Sequence, residues 1–501
     1  MFDRIRSTVT RAISSAVTSI VAQYDAGGTG RRMRGWRPPS SGPNRATSQA
    51  PKVRDRARDA ARNDWTASAG GQRWVTNLIG TGIVPRAKRI TNKAQKQLAA
   101  DLWDRWTKQS DADCVLNFYA QEAMATRAWL ESGEVFARLR WRRKGSMEVP
   151  IQVQLIEADF VPQLDTETWP SLPVGNKIRQ GIELDRLGAR VAYWIYKAHP
   201  TDFMAGNIDK SQLIRVPADE ILHIFEPKRP GQLRGVSEFA SVLARLRNVA
   251  DFDDAVLERQ KLANLFTAFI EKQYPTSPDG IDPMTGTAIN YETDGTPVAA
   301  LQPGMSQELL PGEKVTFSNP PGASATYAEY MRTQHLANAA GQNLPYELLS
   351  GDIINVSDRT LRVIIQEFRR HVEQRQWHVI IPMFCQRVRE AWVDQAVLVG
   401  ALPRSIADDA KAVEWAPHGW QYIHPVQDVQ GKQLEVNAGF RSRSSVIAER
   451  GDDPEQVDAE RQADMKRAEE LGLPTAPKPG AAGPADGTSA GPNNDSNKPT
   501  K

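Results

Sequence analysis

Cysteine is almost missing from this chain. Cys114 and Cys385 lie far apart, and neither belongs to a C-x-x-C pair. A disulfide framework is thereby excluded, and free thiols in a reducing compartment are expected. Histidine is scarce too, at seven residues. No H-E-x-x-H, no Cys/His cluster and no EF-hand loop is present. His371 and His378 are seven residues apart on one expected helix face, where packing or solvent is a better account than a metal. His418 and His424, among Trp415, Trp420 and Tyr422, read as structural. G-x-x-x-x-G-K-[ST] is absent, which excludes a P-loop ATPase, and Gly27, Gly28 and Gly30 lack the strand and helix of a dinucleotide site. No apolar run approaches the ~20 residues a bilayer requires; Val379 to Cys385 is interrupted by Pro382. No catalytic residue, cofactor ligand or metal ligand is expected, and no membrane partner.

What is present is a folded chain with uneven charge. Its 501 residues, 40% hydrophobic and 25% charged, suit two to four structural regions. Net charge is only +3, yet residues 1–62 hold thirteen Lys/Arg against four Asp, a balance of +9 that leaves −6 elsewhere. Phe2, Ile5, Val9, Ile13, Val17, Ile20 and Val21 recur at helical steps, with Arg11 breaking the apolar stretch. An amphipathic helix is expected there rather than a secretory signal. Gly27 to Pro51 is rich in Gly, Pro, Ser and Arg and reads as an extended arm. It is either a solvated linker or a contact for nucleic acid or an acidic protein surface. Leu473 to Lys501 has nothing to bury and is expected to be disordered.

Three helices are legible in the middle. The first begins after Ser237 as N-cap, carries Phe239, Val242, Leu243, Leu246 and Val249 on an apolar face, and is expected to reach Lys272. A turn-rich segment from Tyr274 to Gly322 follows, with Asp279, Asp282, Glu292, Asp294, Glu308 and Glu313 against Lys314, a balance of −5. Within it Met305 to Leu310 and Glu313 to Phe317 read as short strands about a type II turn at Pro311-Gly312. The second helix spans about Thr326 to Gln342 and stops before Leu344-Pro345. The third starts near Ser357 and runs to about Ala396, with Pro382 inside it. An interior proline costs ~3 kcal/mol or more, so a kink is expected between His378 and Pro382. Pro425 to Leu471 reads as charged and helical.

Several phrases carry a resemblance. They are Tyr24-Asp25-Ala26, Arg34-Gly35-Trp36, RDRARDAARND (Arg54 to Asp64) and LIGTGIVPRAK (Leu78 to Lys88). GIELDRLGARVAYWIY (Gly181 to Tyr196) and, most specific, VPADEILHIFEPKRPGQLRGVSEFASVLARL (Val216 to Leu246) follow. LLPGEKVTFSNP (Leu309 to Pro320), NLPYELLSGD (Asn343 to Asp352) and the arginine-rich helix after it complete the series. In this order they resemble the lambda-type bacteriophage portal family over roughly residues 20–430. The family's usual Asn-Tyr-Ser-Ser turn reads Asn355-Val356-Ser357-Asp358 here, where Ser357 or Asp358 still offers a cap.

The resemblance implies an α+β, mostly helical portal fold with wing, stem, clip and crown regions, assembled as a dodecameric ring. Residues 1–62 would be a basic N-terminal arm and 63–236 the wing. The first stem helix region would span 237–273, the clip 274–324 and the second stem helix 325–345. The long kinked helix with a tunnel-facing or wing region would occupy 346–424, the helical crown 425–471 and a disordered tail 472–501. Its implied partners are double-stranded DNA in the channel, the terminase large subunit, a head–tail connector, and the major capsid and scaffold proteins. The setting would be a virion capsid vertex, with host cytoplasm during assembly. Asp279, Asp282, Glu292 and Asp294 are candidates for terminase or connector docking. Arg359, Arg362, Arg369 and Arg370 are candidates for the DNA tunnel or for intersubunit contacts. The alternatives are another head–tail structural protein or a DNA-packaging enzyme; connectors are usually much shorter, and an enzyme would need a nucleotide or metal site.

Overall fold

The computed structural model describes residues 40–142, 147–168, 172–201, 210–265, 269–272, 286, 313–316, 327–354, 356–420 and 425–473. The expected helix over residues 2–21, residues 27–39 of the arm, the docking candidates Asp279, Asp282, Glu292 and Asp294, the strand over 305–310 and its turn, and residues 474–501 lie outside them.

The first correction concerns the arm. A helical turn at Pro43–Ala46 and a 3-10 turn at Thr47–Gln49 lead directly into α1 (Ala50–Asn63). Thr47, Ala50, Arg54 and Ala57 are buried, so this stretch is packed and not extended. Asp64 ends α1 and caps α2 (Trp65–Leu78), accepting the Thr66 and Ala67 amides at 2.8 and 3.1 Å. After β1 (Val84–Arg86), Asn92 caps α3 (Lys93–Thr107) and Asn117 caps α4 (Phe118–Ser132). Gly133, at φ +88°, then turns the chain into the next strand.

Two antiparallel sheets follow. The first has the order β3–β2–β8, from β2 (Glu134–Arg140), β3 (Gln152–Ile156) and β8 (Ile221–Phe225). The second runs β4 (Lys177–Arg179), β5 (Ile182–Leu184), β6 (Arg190–Tyr196), β7 (Leu213–Pro217) in order. Period-two alternation sends the two faces of β2 into different cores. Val135, Ala137 and Leu139 join the large helical core with Trp74, Trp103, Trp129, Phe384 and Trp392. Phe136 joins the smaller core between the sheets with Ile182, Tyr193, Ile195 and Val216.

Ser237 accepts the Phe239 amide at 3.2 Å and caps a 3-10 turn, Glu238–Ser241, ahead of α5 (Leu243–Leu265). The expected run to Lys272 is not helical: Phe269–Lys272 is strand β9, paired antiparallel with β10 (Glu313–Thr316). Phe269 and Ile270 suit either a helix stripe or a strand, and a cross-strand partner over forty residues away decides for the strand. α6 (Tyr327–Gly341) returns alongside α5, with Arg245 Nη1 donating to Gln334 Oε1 at 2.6 Å and Phe252 packed on Tyr330. α7 (Tyr346–Ser350) follows.

Ser357 caps α8 (Asp358–Arg375), accepting the Thr360 amide at 3.2 Å. The chain then stays helical through Pro382 by changing register: Gln376–Cys385 is π-helical, and α9 (Gln386–Leu398) continues from it. The Gln386 amide donates to Ile381 O, five residues back. Pro382 has no N–H to donate in either an α- or a π-type register, and the wider turn carries the chain past it. α10 (Ala407–Lys411) and β11 (Glu414–Ala416), paired with β1, close the body. Three helices without buried residues end the described chain: α11 (Pro425–Asn437), α12 (Arg443–Glu449) and α13 (Pro454–Glu470).

Candidate functional site

The four candidate arginines of α8 divide into two pairs. Arg359 and Arg370 are exposed, eleven residues apart and hence on one face, together with exposed Val363, Gln366 and Trp377. Arg370 donates to Glu367 at 2.9 Å, a solvent-facing pair. Arg362 and Arg369 share the neighbouring face and turn toward the C-terminal helices. They line a pocket with Trp420, Asp428, Lys432, Glu435 and Glu449. Arg362 bonds Asp358 at 3.1 Å, one turn back. Arg369 lies over the Trp420 ring at 4.8 Å, and burial lowers its pKa against the opposing pull of Asp428, Glu373 and Glu449. The sequence spacing placed Arg362 and Arg369 together; that they meet α11 and α12 of the same chain depends on a loop fifty residues away.

Farther along, the helix carries two buried arginines that the sequence reading passed over. Arg375 pairs with Glu238 at 2.7 Å and Glu226 at 3.4 Å and lies 4.3 Å over Trp74, tying the end of α8 to the Ser237 turn. Arg389 sits between Trp103 and Trp392, 4.7 and 4.5 Å from their centroids, and donates Nε to Ala410 O at 3.1 Å. Burial lowers its pKa to about 9, which still leaves it charged at neutral pH.

The most family-like segment, Val216 to Leu246, surrounds a buried ionic knot. Glu134 at the start of β2 takes Arg234 at 2.7 Å, Arg54 of α1 at 3.3 Å, His223 at 3.0 Å and the Gly235 amide at 2.9 Å. Arg234 also donates to Val161 O, Gln180 O and Ala158 O. Burial would raise the Glu134 carboxyl, but Arg234 and the His223 hydrogen bond outweigh it and hold it well below the usual range. His223 is pushed down to about 4 by burial, so it is neutral at pH 7. Its Nε2–H then donates to Glu134, and Nδ1 accepts Arg190 Nη1 at 2.8 Å. Arg54 and Arg58, counted in the expected basic N-terminal arm, also hold Asp159 at 3.2 and 2.8 Å. Nearby, Glu157, Asp159 and His199 bring ligand atoms together, but the two guanidinium groups already supply the positive charge there.

His418 packs on Gly80 and against Trp420, as the structural reading required; His424 and Tyr422 lie outside the described residues. His371 and His378 are exposed on the long helix. No described helix is long and apolar enough to cross a membrane.

Comparison with known proteins bears on this arrangement. The probable portal protein of Halomonas phage phiHAP-1 is 26% identical over 449 residues, covering 84% of this chain and 81% of its own. Portal protein B of Escherichia phage lambda is 22% identical over 501 residues, covering 90% and 91%. A solved chain from the neck of a native GTA particle aligns over 86% of this chain and 94% of its own at a TM-score of 0.43 and 14% identity, a likeness too distant to argue from. The profile described as phage portal protein, lambda family, matches residues 29–376, a span that includes the ionic knot, α5, α6 and the whole of α8. This chain belongs to the lambda family of phage portal proteins.

Proposed function

We propose that this chain is one subunit of a closed ring at a capsid vertex, through which double-stranded DNA enters during packaging and leaves during ejection. The observation that carries the reading is the family match across 29–376. The antiparallel pair α5 and α6, exposed over most of its surface, suits a stem that neighbouring copies cover. The acidic segment 274–324 joins their far ends and would be the clip, docking first the terminase large subunit and then the connector through Asp279, Asp282, Glu292 and Asp294. Helices α11 to α13 would form the crown. The chain itself performs no catalysis in this account: the motor supplies the work, and the ring guides a polyanion. On that reading the exposed pair Arg359 and Arg370 faces the DNA path or a neighbouring subunit, while Arg362 and Arg369 anchor the crown helices. A ring multiplies each position by its symmetry, so even two arginines per subunit make a strong local field.

Native mass spectrometry and electron microscopy of the purified chain test the assignment. Closed rings of about twelve copies are expected. A monomer with nuclease or ATPase activity would overturn the proposal in favour of a packaging enzyme.

A further inference from the structure

We propose that the outer face at the end of β2 is a separate binding surface for the phosphate backbone of double-stranded DNA, with Arg140 and Arg142 as its contacts. Glu134, Phe136, Arg138 and Arg140 share one face of β2. That face is covered at Glu134 and Phe136 and opens toward solvent beyond them. Arg138 is neutralised by Glu220 at 3.1 Å. The next two arginines are held by neutral amides instead. Arg140 Nε donates to Gln154 Oε1 at 2.8 Å, and Arg142 Nε donates to Gln152 Oε1 at 2.9 Å.

These holders are themselves fixed. Gln152 is buried and spends its Nε2 on Gln109 O at 3.0 Å and Asp111 O at 2.8 Å, which leaves Oε1 alone to face Arg142. Arg142 also donates to Ala112 O at 2.5 Å, so its guanidinium is oriented before any ligand arrives. The arrangement has a cost: burial and then the like charges of Arg138 and Arg142 lower the pKa of Arg140, while Glu220 and Asp113 compensate in part. Among the described residues neither guanidinium bonds a carboxylate, and preorganised guanidinium groups of this kind are a phosphate-binding arrangement. Two fixed guanidinium groups, each held by a neutral amide, match the repeated phosphates of a nucleic-acid backbone.

The proposal stands apart from the channel reading, since no α8 arginine takes part in it. The test uses the full-length protein with a fluorescent thirty-base-pair duplex of mixed sequence, titrated from about 50 to 200 mM KCl. Arg140→Gln/Arg142→Gln should leave the native mass unchanged, weaken binding and reduce the slope of log K against log salt by about one per arginine removed. Arg140→Lys/Arg142→Lys should retain most of the slope. An unchanged slope in the Gln variant overturns the proposal. So does a shift to smaller species with the slope intact, which would assign the face to a contact between copies. Phenylglyoxal modification of the wild-type protein needs no variant: duplex should protect Arg140 and Arg142. Protection by poly-glutamate and none by DNA would overturn the proposal in favour of an acidic protein partner.

Discussion

Glu122 should be a liability to this fold at neutral pH, and Glu122→Gln should remove it. The carboxyl is fully buried in α4. One oxygen accepts the Ile83 amide at 2.9 Å and the other the Cys385 thiol at 3.4 Å. Burial pushes its pKa up to about 8, against the smaller opposing effect of those two hydrogen bonds. The folded chain therefore keeps a proton that the unfolded chain releases near the ordinary 4.5. The sign follows from linkage: stability falls as pH rises from about 4.5 to about 8 and then levels off. At 1.36 kcal/mol per pH unit, the penalty accumulated by pH 7 is on the order of 3 kcal/mol. A glutamine can accept the Ile83 amide through Oε1 and point its NH₂ at the Cys385 sulfur, a weak acceptor. Denaturant midpoints of both proteins, measured from pH 5 to pH 9 at one protein concentration, should nearly coincide at pH 5 and separate steadily, with the variant the more stable, until about pH 8. Parallel curves across that range would refute the reasoning and mean that Glu122 ionises normally.

Four further outcomes are expected. Arg234→Gln strips Glu134 of its closest cation and should cost about 3–5 kcal/mol, read as a loss of midpoint or of soluble protein. Limited trypsin digestion should stop short of Arg54, whose guanidinium is buried against Glu134 and Asp159; early cleavage there would contradict the packing of α1. Arg359→Ala/Arg370→Ala should leave the C-terminal helices attached while impairing DNA retention or ring stability, whereas Arg362→Ala/Arg369→Ala should expose residues 425–473 to protease; identical behaviour of the two pairs would erase the division drawn between them. Replacing Asp279, Asp282, Glu292 and Asp294 with Asn or Gln should spare ring assembly and weaken terminase capture most at low salt, and pull-downs unchanged across salt concentrations would count against the docking role.

Local rules read the helices well because their ends are local chemistry. Ser357 caps as expected, Ser237 caps a 3-10 turn ahead of the expected helix, and the helix before Leu344-Pro345 ends at Gly341. Pro382 was recognised as an obstacle, but its solution, ten π-helical residues, depends on the buried packing of Val379, Ile380, Ile381 and Phe384. Distant partners decided the misread elements. Residues 43–63 look like a basic arm until Glu134 and Asp159, about a hundred positions on, are brought against Arg54 and Arg58. Phe269–Lys272 looks like the end of a helix until Glu313–Thr316 pairs with it. Charge counting cannot distinguish a guanidinium aimed at DNA from one buried in a knot, since both raise the same sum.

The same distinction explains what the family-like phrases mark. The segment Val216 to Leu246 carried the strongest resemblance, yet its central residues meet other parts of the same chain. Arg234 reaches Glu134 and three carbonyls, Gly235 has Gly133 O where a Cβ would stand, 2.0 Å away, and Ser237 turns the chain into α5. An alanine at Gly235 would press on backbone, which cannot yield as a side-chain tip can. Glu238, in the 3-10 turn before α5, pairs with Arg375, so ion pairs tie α1 to the three-stranded sheet and the end of α8 to that turn. Such a junction is stiff, because each of its ion pairs is buried or half-buried. The motif therefore sets the geometry at which α5 leaves the three-stranded sheet. Arg359 and Arg370 of α8, and Arg140 and Arg142 at the end of β2, stand outside that junction, so altering them leaves none of its buried carboxylates unpaired.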